Sequence, residues 1–309
     1  MDITQAIRAA AEAARPAATG GKVADYIPQL RELDPHRFGL AVVELDGTEH
    51  VEGDVDIPFA IQSMSKVFAL TLAMQQCGGE RAVRREIWER VGREPSGDPF
   101  NSLVQLEHEC GIPRNPMINA GALVIADLLI ENCDEPVAEI LNLVAELTGE
   151  TISLDPATAA AEEQFSDRNR AMGSLMAAFD NLVNPLDQVL DVYNKQCSLM
   201  MSARQLARSV RFLANDGIDP ASGRQVLSSS LAKRVMAVML TCGTYDAAGE
   251  FAFSVGLPCK SGVAGGIMAV APDHSGICVW SPPLDAAGNS LAGRVALHDL
   301  TDRLDLSIF

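Results

Sequence analysis

The sequence places a serine and a lysine three residues apart at the start of a predicted helix. Ser63 and Lys66 belong to the segment Ser63-Met-Ser-Lys66, and the helical run that follows extends to Gln76. Residues at i and i+3 share one face of a helix, so the Lys66 amine can reach the Ser63 hydroxyl. A desolvated lysine loses its proton more readily and can act as a base. The pair is therefore compatible with nucleophilic catalysis by Ser63, although the spacing alone is a weak signal.

The SxxK pattern can also be explained without catalysis, as a serine that caps a helix and a lysine that is exposed to solvent. Ser230-Leu-Ala-Lys233 has the same spacing and also precedes a helical run. A second motif, Lys260-Ser-Gly262, precedes Val263 on a predicted strand, where small residues let a substrate approach and a backbone amide can point into a cleft. SxxK combined with a late K-[ST]-G is the motif pair of penicillin-recognising enzymes.

The composition argues against several other kinds of function. Asp and Glu outnumber Lys and Arg by 41 to 24, and the formal net charge of −17 does not suit binding to nucleic acid or to anionic membranes. The seven cysteines include no CxxC pair and the five histidines do not cluster, so we expect no metal site. We find no apolar run of membrane-spanning length and no signal peptide at residues 1–15, and therefore expect a cytoplasmic protein.

The elements that must position these residues are strands at both ends of the chain and helices between them. Strands are predicted at 38–45, at 48–54 after an Asp46–Gly47 turn, at 265–271 and at 277–281. Helical periodicity covers the first and last 20 or so residues and the segments 117–130, 137–147, 171–179, 185–195, 202–215 and 230–240.

This pattern predicts an α+β fold, in which an antiparallel sheet from both chain ends carries flanking helices and an inserted helical domain. We expect one catalytic unit over residues 1–309. Within it, a sheet subdomain covers about residues 1–65 and 250–309, and a helical subdomain covers about residues 66–249.

Seven longer segments resemble the bacterial glutaminase family, which is serine-dependent and has a fold like that of serine β-lactamases and penicillin-binding proteins. The segments follow the family order and cover nearly the whole chain: IQSMSKVF (61–68), EPSGDPFNS (94–102), PRNPMINAGA (113–122), DRNRA (167–171), YNKQCS (193–198), TCGTYDAAGEF (241–251) and KSGVAGGI (260–267). The resemblance implies hydrolysis of L-glutamine to L-glutamate and ammonia, no cofactor, and a homodimer or homotetramer.

The resemblance also implies a role for each matching residue. Ser63 is the nucleophile that forms an acyl-enzyme, and Lys66 and Tyr193 are its catalytic partners, with the identity of the first base left open between them. The residues implied to bind the substrate are Tyr26, Ser63, Asn115, Glu162, Asn169, Tyr193, Tyr245 and Val263. Glu162 would pair with the substrate ammonium, and Glu163 is the alternative at this position. Neutral Asn and Tyr donors suit the substrate carboxylate.

Two other functions fit part of the same pattern. One is a different SxxK serine hydrolase, similar to a β-lactamase or a peptidase, and the other is a non-catalytic ligand-binding module on the same fold. The missing signal peptide argues against the first, because its substrates are usually found outside the cytosol. The joint presence of Ser63, Lys66, Tyr193 and Tyr245 argues against the second.

Overall fold

The computed structural model describes residues 2–96 and 102–309, and its main feature is a five-stranded antiparallel sheet. Across this sheet the strands are β2 (Glu49–Gly53), β1 (Gly39–Glu44), β8 (Ser275–Trp280), β7 (Gly266–Ala271) and β6 (Cys259–Gly262). A smaller antiparallel sheet consists of β3 (Phe59–Ala60), β5 (Leu199–Met201) and β4 (Ser153–Leu154). The predicted α+β fold, with its main sheet assembled from both ends of the chain, is confirmed.

Helices cover both faces of the main sheet. In the described residues they are α1 (Ile3–Ala14), α2 (Pro28–Arg31), α3 (Ser65–Gln76), α4 (Glu80–Glu86), α5 (Leu103–His108), α6 (Asn119–Asn132), α7 (Pro136–Thr148), α8 (Pro156–Gln164), α9 (Asp167–Ala178), α10 (Leu186–Cys197), α11 (Ala203–Ser209), α12 (Arg211–Ala214), α13 (Ser229–Cys242), α14 (Ala248–Ser254) and α15 (Leu291–Leu304). No helix in this part of the chain is long and apolar enough to cross a membrane.

The strand β7 shows why the central strands are apolar along their whole length. Side chains alternate between the two faces of a strand, so Ile267 and Ala269 enter the core formed with α1 and α15. Met268 and Val270 enter the larger core on the opposite face, which contains most of the apolar side chains of the helical region. A strand with both faces covered reads as a continuous apolar run rather than an alternating one.

The helix predicted at 202–215 is two helices, because the backbone leaves helical geometry at Val210, where φ is −103° and ψ is 1°. The first of them, α11, lies so close to β8 that Gly276 faces the carbonyl of Ala207 with no room for a side chain. The short strands of the smaller sheet were not predicted. Part of the EPSGDPFNS segment, residues 97–101, lies outside the described residues, and the two subdomain boundaries stay a prediction.

Candidate active site

A cleft of about 220 Å³ lies between the end of β6 and the helical region. Its lining residues are Tyr26, Gln62, Ser63, Asn119, Glu162, Phe165, Arg168, Asn169, Tyr193, Tyr245 and Val263. The structure thus brings together seven of the eight residues expected to bind the substrate, all except Asn115. The cleft is concave and polar, with residues contributed by distant parts of the sequence, as is usual for the binding site of a small polar molecule.

Ser63 lies in a single 3₁₀ turn, Gln62–Met64, that leads directly into α3. The preceding residue, Gln62, has a φ of 51°, a conformation that is strained for a residue with a side chain and that is often found at active sites. The end of β6 packs against this turn, where a Cβ on Gly262 would be only 2.7 Å from the carbonyl oxygen of Ile61. Glycine at this position allows the strand edge and the serine to lie on the same side of the cleft.

Lys66 is buried directly beneath the cleft, with 1% of its surface exposed. Its amine donates hydrogen bonds to the Asn119 side-chain oxygen at 2.7 Å and to the Met117 carbonyl at 3.2 Å. Both partners are neutral, and burial lowers the pKa of Lys66 from its ordinary value of 10.5 to about 8. Buried thiol and carboxyl groups of Cys197 and Glu162 oppose this shift only in part. A lysine in this state has a substantial neutral fraction near neutral pH.

The side chain of Tyr245 contacts Ser63. The two hydroxyls are hydrogen-bonded to each other, and the Tyr245 hydroxyl also donates to the Ser261 carbonyl at 3.2 Å. Burial raises the pKa of Tyr245, so this group keeps its proton at neutral pH. Tyr245 also has a positive φ of 57°, and the strained backbone directs its ring toward the nucleophile.

Tyr193 lies on the other side of Lys66, whose amine is 5.7 Å from the centre of the tyrosine ring. The Tyr193 hydroxyl is hydrogen-bonded to the thiol of Cys197, one turn further along α10. Burial raises the pKa of Tyr193 well above its ordinary value of 10.0, and the neighbouring Cys197 and Glu162 raise it further. Tyr193 therefore contributes a protonated hydroxyl and an aromatic face to the site.

Glu162 forms the acidic end of the cleft. It is 8% exposed, and its carboxylate accepts hydrogen bonds from the Tyr26 hydroxyl at 2.8 Å and the Gln62 amide at 3.0 Å. Burial raises the pKa of Glu162, while these two hydrogen bonds and Lys66 lower it in part. The next side chain, Glu163, is exposed. Of the two glutamates that sequence left open, Glu162 is the one in the cleft.

Asn119 lines the cleft, whereas Asn115, the asparagine expected there, does not. The side-chain oxygen of Asn115 accepts the amides of Met117 and Ile118, and its amino group donates to the carbonyl of Glu94 at 2.8 Å. These bonds fix the turn before α6 and direct the Asn115 side chain away from the cleft. Asn119, the first residue of α6, accepts from Lys66 and donates to the Asn169 side chain at 3.0 Å. The assignment of Asn115 to the pocket lining is corrected accordingly.

Gln62, Phe165 and Arg168 also line the cleft, although the sequence motifs did not single them out. Gln62 and Arg168 are immediate neighbours of Ser63 and Asn169 within two of the family-like segments, and this adjacency was the available signal. Phe165 is 55% exposed, which is unusual for a large apolar side chain and places it at the mouth of the cleft.

The second SxxK pair has a structural role. Ser228, not Ser230, caps α13 by accepting the Leu231 amide, and Lys233 forms an exposed ion pair with Asp216 at 3.4 Å. Neither Ser230 nor Lys233 lines the cleft. In the described part of the chain, no three His, Cys, Asp or Glu side chains are grouped in a way that would hold a metal ion.

Comparisons with known proteins identify one family. A family model described as Glutaminase matches residues 21–309. A glutaminase of Rhodopseudomonas palustris strain TIE-1 is 53% identical over 292 residues, which are 94% of this chain and 92% of that protein. A glutaminase of Methylobacterium sp. strain 4-46 is 50% identical and covers 100% of this chain and 99% of its own.

Solved structures give the same result. The probable glutaminase ybaS has a TM-score of 0.93 at 34% identity and covers 100% of this chain and 99% of its own. A probable glutaminase from Bacillus subtilis complexed with 6-diazo-5-oxo-L-norleucine has a TM-score of 0.89 at 33% identity. The match covers 100% of this chain and 97% of that chain.

Proposed function

We propose that Ser63 of this chain, which belongs to the glutaminase family, attacks the substrate and forms an acyl-enzyme. The enzymes of this family hydrolyse L-glutamine to L-glutamate and ammonia. The observation that carries the proposal is the buried Lys66 amine, one helical turn from Ser63, whose pKa is lowered to about 8. With that pKa, about one Lys66 side chain in ten is neutral at pH 7 and able to accept a proton.

In the first step Lys66 takes the Ser63 proton while the serine oxygen bonds to the side-chain amide carbon of glutamine. Lys66 rather than Tyr193 is the first base, because the pKa of Lys66 is lowered and that of Tyr193 is raised. Direct contact between the Lys66 amine and the serine forms as the substrate enters, since catalytic hydrogen bonds often tighten only in the complex.

The backbone amides of Ser63 and Val263 stabilise the negative oxygen of the tetrahedral intermediate. In support, the Val263 amide has no acceptor among the described residues, and Val263 lines the cleft. The carbon–nitrogen bond then breaks. The proton held by Lys66 reaches the departing nitrogen through the Tyr245 hydroxyl, which is already hydrogen-bonded to Ser63, and ammonia leaves.

A γ-glutamyl ester on Ser63 remains. Water attacks its carbonyl carbon, Lys66 accepts the proton of that water, and the serine oxygen recovers a proton as glutamate departs. The two half-reactions use the same base and the same oxyanion donors, so no additional group is required.

The remaining residues of the cleft distinguish glutamine from other amides. We assign Glu162 to the substrate ammonium, because it is the buried carboxylate of the cleft and its pKa is already raised by burial. Asn169 supplies a neutral donor for the α-carboxylate, the Tyr26 hydroxyl holds the Glu162 carboxylate in place, and Arg168 adds a positive charge at the mouth. A partly desolvated ion pair contributes more to binding than an exposed one.

Three further properties belong to the same proposal. The chain forms a homodimer or homotetramer, works in the cytoplasm, and consists of a sheet subdomain at about 1–65 and 250–309 and a helical subdomain at about 66–249. Exposed apolar side chains such as Val104, Phe179 and Val183 support a subunit interface. Light scattering that gave the monomer mass of 32.9 kDa at micromolar concentration would refute the oligomer.

The test of substrate recognition is Glu162→Gln, which retains the shape of the side chain and removes its charge. We expect kcat/KM for glutamine to fall about tenfold to a thousandfold, at about 1.4 kcal/mol per tenfold. A glutamine analogue with an acylated α-amino group has no ammonium, so its hydrolysis should change far less. The matched control is Glu163→Gln, which alters an exposed carboxylate and should leave both rates unchanged. Equal losses with both substrates would show that Glu162 is not the ammonium ligand.

A further inference from the structure

Two adjoining cavities of about 370 and 390 Å³ lie in the groove between α4, the segment 87–96 and α13. They share three side chains, Trp88, Arg93 and Arg234, and we refer to them together as the α4–α13 groove. None of the residues that line this groove lines the Ser63 cleft. Each cavity has the size of a typical site for a small organic molecule, which is larger than a single inorganic anion requires.

One half of the groove is strongly cationic. Arg81 and Arg84 line it together with the shared Arg93 and Arg234, against the single carboxylate of Glu80. None of the four guanidinium groups forms an ion pair with a carboxylate in the described part of the chain. Four unpaired arginines at one place are notable in a protein whose formal net charge is −17. Guanidinium groups bind phosphate oxygens in a bidentate manner and suit a polyanionic ligand.

The other half of the groove is largely apolar. It is lined by the half-buried Trp88 and by Pro95, Ala237 and Val238, with Glu94 and Thr241 at its edge. Arg93 stands over the Trp88 ring, with its guanidinium carbon 5.8 Å from the ring centre. Arg93 and Arg234 therefore lie at the junction, where a flat apolar group in one half would be joined to anionic groups in the other.

We propose that the α4–α13 groove is a second ligand site, which binds a phosphorylated nucleoside. Its aromatic base lies against Trp88 and the apolar wall of α13, and its phosphates lie among the four arginines. A purely inorganic anion would leave the apolar half empty, and an uncharged nucleoside would leave the arginines unpaired. The proposal is independent of the assignment of Ser63 as nucleophile.

The test is calorimetric titration of the intact protein at low ionic strength with ADP, and separately with adenosine and inorganic pyrophosphate. ADP should bind more tightly than either fragment, and added salt should weaken the binding. Arg234→Ala and Arg84→Ala should each weaken ADP binding about tenfold or more. The matched control is Arg8→Ala, because Arg8 is another exposed arginine without an ion pair in the described residues. All three variants should hydrolyse glutamine as the unmodified protein does when no nucleotide is present.

Tryptophan fluorescence gives a second readout. Trp280 is buried and stacked on Phe59 with ring centres 4.7 Å apart, so a fluorescence change on adding ADP should come from Trp88 and disappear in Trp88→Phe. No binding of ADP would overturn the site. Pyrophosphate binding as tightly as ADP would overturn the nucleoside assignment. A change of oligomeric mass in Arg234→Ala would show that the groove is instead covered by another copy of the chain.

Discussion

Replacing Lys66 with methionine should abolish activity without destabilising the fold. Lys66 is buried among neutral partners, and its pKa is lowered from 10.5 to about 8. Each pKa unit corresponds to about 1.4 kcal/mol, so a charged Lys66 destabilises the folded protein by about 3 kcal/mol. Methionine fills a similar volume and removes this penalty. It also leaves the Asn119 oxygen and the Met117 carbonyl without their donor, which costs about 1–3 kcal/mol.

The two terms nearly cancel, so at pH 7 the Lys66→Met variant should unfold with a free energy equal to that of the unmodified protein or up to about 2 kcal/mol higher. The difference should depend on pH in a defined direction. Because the folded-state pKa lies below that of the unfolded chain, the unfolded chain binds more protons between pH 8 and 10.5. The charged Lys66 therefore lowers the free energy of unfolding by its full amount below pH 8. This loss disappears as the pH rises to 10.5.

The assay is urea unfolding of both proteins at a series of pH values from 7 to 10, combined with the pH profile of kcat/KM for the unmodified enzyme. The difference in unfolding free energy between the methionine variant and the unmodified protein should become smaller as the pH rises. In parallel, kcat/KM should increase with an apparent pKa near 8 as Lys66 loses its proton. A methionine variant that is several kcal/mol less stable at pH 7, with no dependence on pH, would show that Lys66 is a stabilised cation and not the base.

Two further predictions concern the residues around Lys66. Tyr245→Phe removes the hydroxyl that contacts Ser63. We expect kcat to fall about tenfold to a hundredfold with little change in KM. An unchanged kcat would exclude the proton relay through Tyr245. Asn119→Ala should lower kcat/KM at least about tenfold because Lys66 loses an acceptor, whereas Asn115→Ala should lower the unfolding free energy by about 1–3 kcal/mol because two backbone amides lose their acceptor. Steady-state kinetics and urea unfolding of both variants check this contrast, and the reverse result would restore Asn115 to the site.

Much of the fold could be predicted because its elements are long and strongly patterned. The strand pair around the Asp46–Gly47 turn, the buried strands β7 and β8, and helices such as α6 and α10 all carry enough residues for their periodicity to be recognised. Strands of two or three residues, such as Phe59–Ala60, have no such periodicity. They exist because tertiary packing aligns them with β5, and sequence alone does not contain that information in a readable form.

The structure places the expected residue in the cleft wherever a motif fixed one position, and it differs from the expectation at Asn115, where a second asparagine lies four residues away. Asn115 and Asn119 lie in one segment, and both are suitable donors and acceptors. Only the backbone turn before α6 determines that Asn115 bonds to main-chain groups while Asn119 reaches Lys66. Glu162 and Glu163 differ in the same way, because adjacent residues of a helix point about 100° apart and only one of them faces the cleft.

The central claim is that glutamine hydrolysis proceeds through a γ-glutamyl ester on Ser63. The direct test is acid quenching of the enzyme during turnover of isotopically labelled glutamine, followed by mass analysis of its peptides. We predict a labelled glutamyl adduct on the peptide that contains Ser63, absent from Ser63→Ala and unchanged in Ser230→Ala. A labelled adduct on Ser230 or on any other residue, or full turnover by Ser63→Ala, would contradict the account.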